Sequence, residues 1–217
     1  MNTGTRGQGG GGEFGVDVLG YGDNSDLLTF CLEVDEFLSF GKTYNYDIDV
    51  AARLGGNNFN SDDPGSSASP TYDTLSKGTD FLYDLFYRGL SDATIWSSEL
   101  LGYGGSDRKA DATALQFAIW VLEDEKKLGS SKKTSTGVGG NKYLNLVESE
   151  FGTIGEAKEN YDWTTSNVRV MNIWKGNKLK QSQVTYVTPE SGLVLLITSG
   201  AIGIMGFLRR RRKVAAA

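Results

Sequence analysis

The chain has 217 residues, enough for one domain of ordinary size with tails, and carries 22 Lys and Arg against 27 Asp and Glu for a net charge of −5. It has no His and one Cys, which excludes Ser–His and Cys–His nucleophile pairs, His metal ligands, an internal disulfide and a cysteine metal cluster. Five cations, Arg209, Arg210, Arg211, Arg212 and Lys213, form one C-terminal run, so removing them from the net −5 leaves −10 on the rest. That acidity argues against a nucleic-acid partner, because phosphate binding needs clustered Lys and Arg.

In chain order, residues 1–12 (MNTGTRGQGGGG) are Gly-rich and read as a flexible tail. They lack the hydrophobic middle region of a secretory signal peptide. From Glu13 the pattern becomes strand-like: Phe14, Val16 and Val18 alternate, and Leu27–Val34 (LLTFCLEV) is an apolar run around Cys31. In KTYNYDIDV, Tyr44, Tyr46, Ile48 and Val50 alternate with polar residues, which predicts a half-buried antiparallel strand with those four inward. Residues 55–71 are a loop by composition. Asn58, Asn60 and Asp62 imitate the opening of a calcium loop, but the bending Gly and the closing acid are missing, so no metal is expected.

Asp73–Leu90 predicts a helix with Leu75, Phe81, Leu82, Leu85 and Phe86 on its apolar face and Gly89 as its stop. GYGGSD is a turn cluster. Ala110–Glu125 (ADATALQFAIWVLEDE) is the most regular helical pattern before the C-terminal segment, with Ala112, Leu115, Ile119 and Leu122 sharing one face. Asp111 is expected at its start, and Lys126, Lys127 and Gly129 at its end. Gln116 is out of place in it, because an amide in so apolar a setting needs a partner. After a polar loop at 129–141, a short helix is expected at Tyr143–Glu150. Two strands follow, Asn167–Trp174 and Ser182–Val187, with KGNK between them as the turn of a hairpin. The fold expected is α+β, an antiparallel β-sandwich or barrel carrying a helical part, followed by one C-terminal hydrophobic helix.

Gly192–Leu208 is uncharged and ends in Arg209–Lys213. As a helix, its length is about 25 Å at 1.5 Å per residue, close to the roughly 30 Å hydrocarbon core. The basic flank predicts a cytoplasmic C-terminus, with the rest of the chain on the other side of the membrane. Together with Thr188, Pro189, Glu190 and Ser191, this segment resembles the PEP-CTERM sorting signal of bacterial envelope proteins, with Ser191 in place of the second Pro. The resemblance implies an exosortase-like processing enzyme that cleaves near Pro189–Ser191, and residence in the inner membrane before that cleavage. The family also carries an N-terminal signal peptide, which residues 1–12 do not supply.

Cys31 and Gln116 are the remaining chemistry. A thiol held against a Gln carboxamide, away from water, can displace ammonia and form a γ-glutamyl thioester, an activated acyl group open to amines. A lone Cys also reads as a small buried apolar residue, and a buried Gln as an amide satisfied by backbone groups. Phe30-Cys31-Leu32-Glu33 and Leu115-Gln116-Phe117-Ala118-Ile119-Trp120 resemble the two signature segments of the thioester domain of surface adhesins, versions of which occur in PEP-CTERM proteins. Leu115 stands where that family often has Thr. The FLYDLFYRG helix and the strand running into QSQV extend the resemblance over about Glu13–Val187.

The resemblance implies a Cys31–Gln116 thioester, with Phe30, Phe117 and Trp120 expected to shield it by size and position. It implies an exported surface or matrix protein that couples covalently, in a single turnover, to an amine-bearing or other nucleophilic partner. No cofactor and no enzymatic turnover are expected. The alternative is a non-covalent polysaccharide- or matrix-binding, or structural, envelope protein with a free thiol. Glu33, Glu36 and Glu123 are acids of the kind that a glycosidase pairs, but nothing in their spacing singles out two of them. The expected organisation is a tail at 1–12, a thioester domain at 13–187 and a sorting signal at 188–217, with its motif at 188–191, helix at 192–208 and basic end at 209–213.

Overall fold

A β-strand needs neighbours to pair its backbone, and these neighbours are far apart in sequence. In the computed structural model, which describes residues 11–19, 26–34, 36–53, 72–126 and 140–187, five strands form one antiparallel sheet. They are β1 (Phe14–Asp17), β2 (Asp26–Cys31), β3 (Asn45–Asp49), β6 (Val168–Lys175) and β7 (Lys178–Tyr186), in the order β1-β2-β7-β6-β3. β4 (Ala51–Arg53) and β5 (Tyr72–Thr74) pair separately. The helices are α1 (Lys77–Ser91), α2 (Ala93–Ser98), α3 (Arg108–Leu122), α4 (Lys142–Phe151) and α5 (Ile154–Ala157). The chain is therefore α+β. It divides into two units, Met1–Tyr186 and Val187–Ala217, and all of these elements belong to the first. The expected sorting motif, hydrophobic helix and basic run lie outside the described residues, as do Asn58, Asn60 and Asp62. Among the described residues no helix is long and apolar enough to cross a membrane.

Local chemistry sets the helix starts. Ser76, Asp107 and Asn141 cap α1, α3 and α4 through their side-chain oxygens. α3 thus begins three residues before Asp111, which lies in its first turn. That carboxylate is spent elsewhere, accepting from Gly104 N–H at 2.9 Å and pairing with Lys142. β6 and β7 close into the expected hairpin, with Gly176 in the turn at φ +60°.

One face of the sheet packs on the helices. Phe30, Val168, Val170 and Val184 share a core with Leu82, Phe86, Leu115, Ile119 and Leu144. Phe30 meets Phe86 edge-on at 5.0 Å between ring centroids. On the other side Val16, Met171 and Ile173 form a smaller apolar cluster. The edge strands β1 and β3 line one shared cleft over Met171 and Ile173, so the sheet curls.

Three sequence expectations change here. Tyr46 and Ile48, expected inward on β3, are 41% and 42% exposed. β3 is an edge strand, and its half-buried residues are Asp47 and Asp49. β4 takes up that polarity: Arg53 pairs with Asp47, while Asn172 bonds Ala51 O and Arg53 N. Asp73, expected at a helix start, lies in β5, and α1 begins after Ser76. Gly89 does not stop α1 but lies within it, because a Cβ there would stand 1.9 Å from Trp96 Cδ1. The glycine lets the indole lie against the helix, where Trp96 Nε1 donates to Phe86 O at 2.8 Å.

Candidate functional site

Cys31 ends β2 and is wholly buried. Side chains alternate across a strand, so Phe30 faces the helices while Cys31 points to the opposite face, against Phe14, Trp120 and Val34. Phe117 is half-buried at the rim of the helical core. Of the three expected shields, Trp120 packs at Cys31; Phe14 and Val34 are its companions there.

Gln116 projects from α3 onto the end of β2. Its Oε1 accepts from Cys31 N–H at 2.9 Å and Gly12 N–H at 3.2 Å, and its Nε2 donates to Cys31 O at 2.7 Å. The amide that looked out of place in the sequence is satisfied, and its partner is the cysteine's backbone. It acts as a short strand, bonding both main-chain groups of Cys31 where a ladder partner would stand.

The side chain hydrogen-bonded to the sulfur belongs to another residue. Gln183 on β7 is the direct cross-strand partner of Cys31, and such partners have Cβ atoms about 4.5–5.5 Å apart on one face. Gln183 Nε2 lies 3.6 Å from Cys31 Sγ. Both residues are fully buried, and Gln183 Oε1 has no hydrogen-bond partner among the described residues. Trp120 Nε1 is likewise buried without one. In the sequence Gln183 lies in the SQVTYV strand and in the QSQV that extends the thioester-domain resemblance, with no role attached to it. Gln183 stands 152 residues from Cys31, and only the β2–β7 register brings the two together.

Burial pushes the Cys31 thiol well above its ordinary range, partly opposed by the Gln183 contact and reinforced by the charge of Glu33. Burial therefore favours the neutral thiol over the thiolate wherever the sulfur is unreacted. Glu33 is raised too, by burial and then by the neighbouring Glu36. Its Oε2 accepts from Ser182 N–H at 2.7 Å, and its backbone oxygen accepts from Gln181 Nε2 at 2.7 Å. Glu33 therefore continues the pairing of β7 where β2 ends. Glu123 is apart from both, accepting from Ser76. The three acids do not form the two-sided carboxylate arrangement of a glycosidase. Among the described residues no group of three or more ligand-type side chains is placed to hold a metal ion.

No family model matches the chain, and no curated protein or solved structure matches it.

Proposed function

We propose that the protein forms an internal thioester between Cys31 and Gln183, with Gln116 holding Cys31 in place, and uses it to attach covalently to a nucleophile on a surface or matrix component. The observation that carries this reading is the buried 3.6 Å contact between Cys31 Sγ and Gln183 Nε2. In the step, sulfur attacks Gln183 Cδ, the C–N bond breaks, and the thiol proton leaves with the amide nitrogen as ammonia. An amine then attacks the same carbon, the C–S bond breaks, and sulfur regains a proton from the amine. The partner is left amide-linked to Gln183, and one turnover consumes the group.

The two glutamines differ in what they would lose. Removing the NH2 of Gln116 would break its bond to Cys31 O. The NH2 of Gln183 has the sulfur as its hydrogen-bond partner, and its oxygen has none among the described residues. Ammonia loss thus disturbs little at Gln183 and a buried backbone carbonyl at Gln116. The acyl role expected of Gln116 thus passes to Gln183, and Gln116 takes a positioning role.

The rest of the reading follows from the resemblance to thioester domains. The curled sheet is the open side of the expected barrel or sandwich, the C-terminal segment is a PEP-CTERM-like signal with a membrane helix, and the mature protein is exported to the envelope or matrix. The test is the intact mass of the purified chain and of three variants. The proposal expects a deficit of one ammonia that disappears in Cys31→Ala and Gln183→Ala and is retained, in whole or in part, in Gln116→Ala. A deficit lost in Gln116→Ala but kept in Gln183→Ala would return the acyl role to Gln116. A full mass with a free thiol in the wild type would favour non-covalent binding.

A further inference from the structure

Gly11, Gly12 and Glu13 sit where composition suggests a tail or its edge, yet all three are buried. The β1–β2 register pairs Phe14 with Thr29, and carried two residues further it sets Gly12 opposite Cys31. The ladder does not close there. The Gln116 carboxamide lies between the two strands and bonds both Gly12 N–H and Cys31.

Glycine is needed twice for this. A Cβ on Gly11 would stand 2.4 Å from Trp120 Cη2 and 2.7 Å from Gln116 Cγ. Gly12 has φ +139°, a conformation L side chains rarely adopt. Glu13 then pins the segment. Its carboxylate, buried beside β1, accepts from Arg108 Nη2 at 2.9 Å, Arg108 Nε at 3.0 Å and Tyr103 Oη at 2.7 Å. Arg108 and Tyr103 lie at and just before the start of α3, the helix that carries Gln116.

We propose that Gly11–Glu13 is a strap that positions Gln116 and covers the Cys31–Gln183 pair, so that its anchoring at Arg108 and Tyr103 sets how fast an outside nucleophile reaches the reactive atoms. The acyl chemistry rests on the thioester reading; the covering of Cys31 does not. Opening the strap means separating a two-point carboxylate–guanidinium pair whose carboxylate is buried and whose guanidinium is partly exposed. Reaction then proceeds through a minor open population.

The experiment uses the full chain as wild type, Gly11→Ala, Glu13→Gln and Glu13→Ala, with Val147→Ala as a packing control on α4. Each is exposed to methylamine, and the adduct is followed by intact mass. Adduct formation is expected about tenfold faster or more in Gly11→Ala and Glu13→Ala, with Glu13→Gln between them and the wild type. Val147→Ala lowers the melting temperature without raising the rate. Equal rates across wild type and the strap variants would overturn the proposal, and the near-isosteric Glu13→Gln keeps this outcome readable if Gly11→Ala does not fold. If the wild type shows no ammonia deficit, the thioester reading fails separately. Iodoacetamide alkylation of the Cys31 thiol then replaces methylamine, with the same order of rates expected, and equal alkylation rates would overturn the strap.

Discussion

Replacing Gln116 with Ala removes the side chain that bonds both the N–H and the C=O of Cys31. Cys31 is wholly buried, so water does not replace what is lost. Each orphaned buried group costs about 1–3 kcal/mol, and with the truncated side chain the expected loss is about 3–5 kcal/mol. For a chain of this size that is a fall of roughly 6–20 °C in melting temperature. Equilibrium urea unfolding of Gln116→Ala beside the wild type measures it. Gln116→Glu is the informative companion. It keeps an acceptor for Cys31 N–H, but only the protonated acid can donate to Cys31 O. Burial raises that carboxyl, so the stability of this variant should recover as the pH falls through its raised value. A Gln116→Ala chain within about 1 kcal/mol of wild type would refute the claim that this amide holds the end of β2.

Other outcomes follow from the packing at Gly89, from the burial of Glu123 and from the proposed sorting signal. Gly89→Ala should cost about 1–3 kcal/mol by overpacking, since its Cβ meets Trp96 at 1.9 Å; an unchanged thermal melt would contradict that packing. Glu123 is raised above its ordinary value of 4.5 by burial, against the opposing hydrogen bonds that it accepts from Ser76. The unfolded chain then releases this proton first, so the contribution is full below 4.5 and is lost as the pH rises through the folded value. Glu123→Gln should flatten that part of a stability–pH profile, and an identical slope would count against it. For the C-terminal segment, peptide mapping of envelope material from a host with the sorting enzyme should lack Arg209–Lys213; their retention would count against processing.

The sequence exposed some of this plainly. The 3.6-residue repeat of Ala112, Leu115, Ile119 and Leu122 marked α3, and Gln116 stood out on it because a buried amide must be satisfied. The β6–β7 hairpin was legible because KGNK is a local signal. The partner of the sulfur was not. Pairing Cys31 with Gln183 is a matter of register between strands 152 residues apart, and SQVTYV fits many registers equally. The polarity of β3 is hidden from the sequence for a related reason: alternation shows that a strand has two faces, while the covering β4 decides which is buried. Gly89 and the Gly11–Gly12 pair show the limit of composition, since a glycine that breaks structure and one that admits an indole look alike in sequence.

The most direct test of the central claim is the intact mass of the full wild-type chain, purified without amines, beside Gln183→Ala. The account predicts that the wild type is lighter than its sequence by one ammonia and that Gln183→Ala has its full mass with a free thiol. A wild type at full sequence mass, or a deficit that survives in Gln183→Ala, would contradict it.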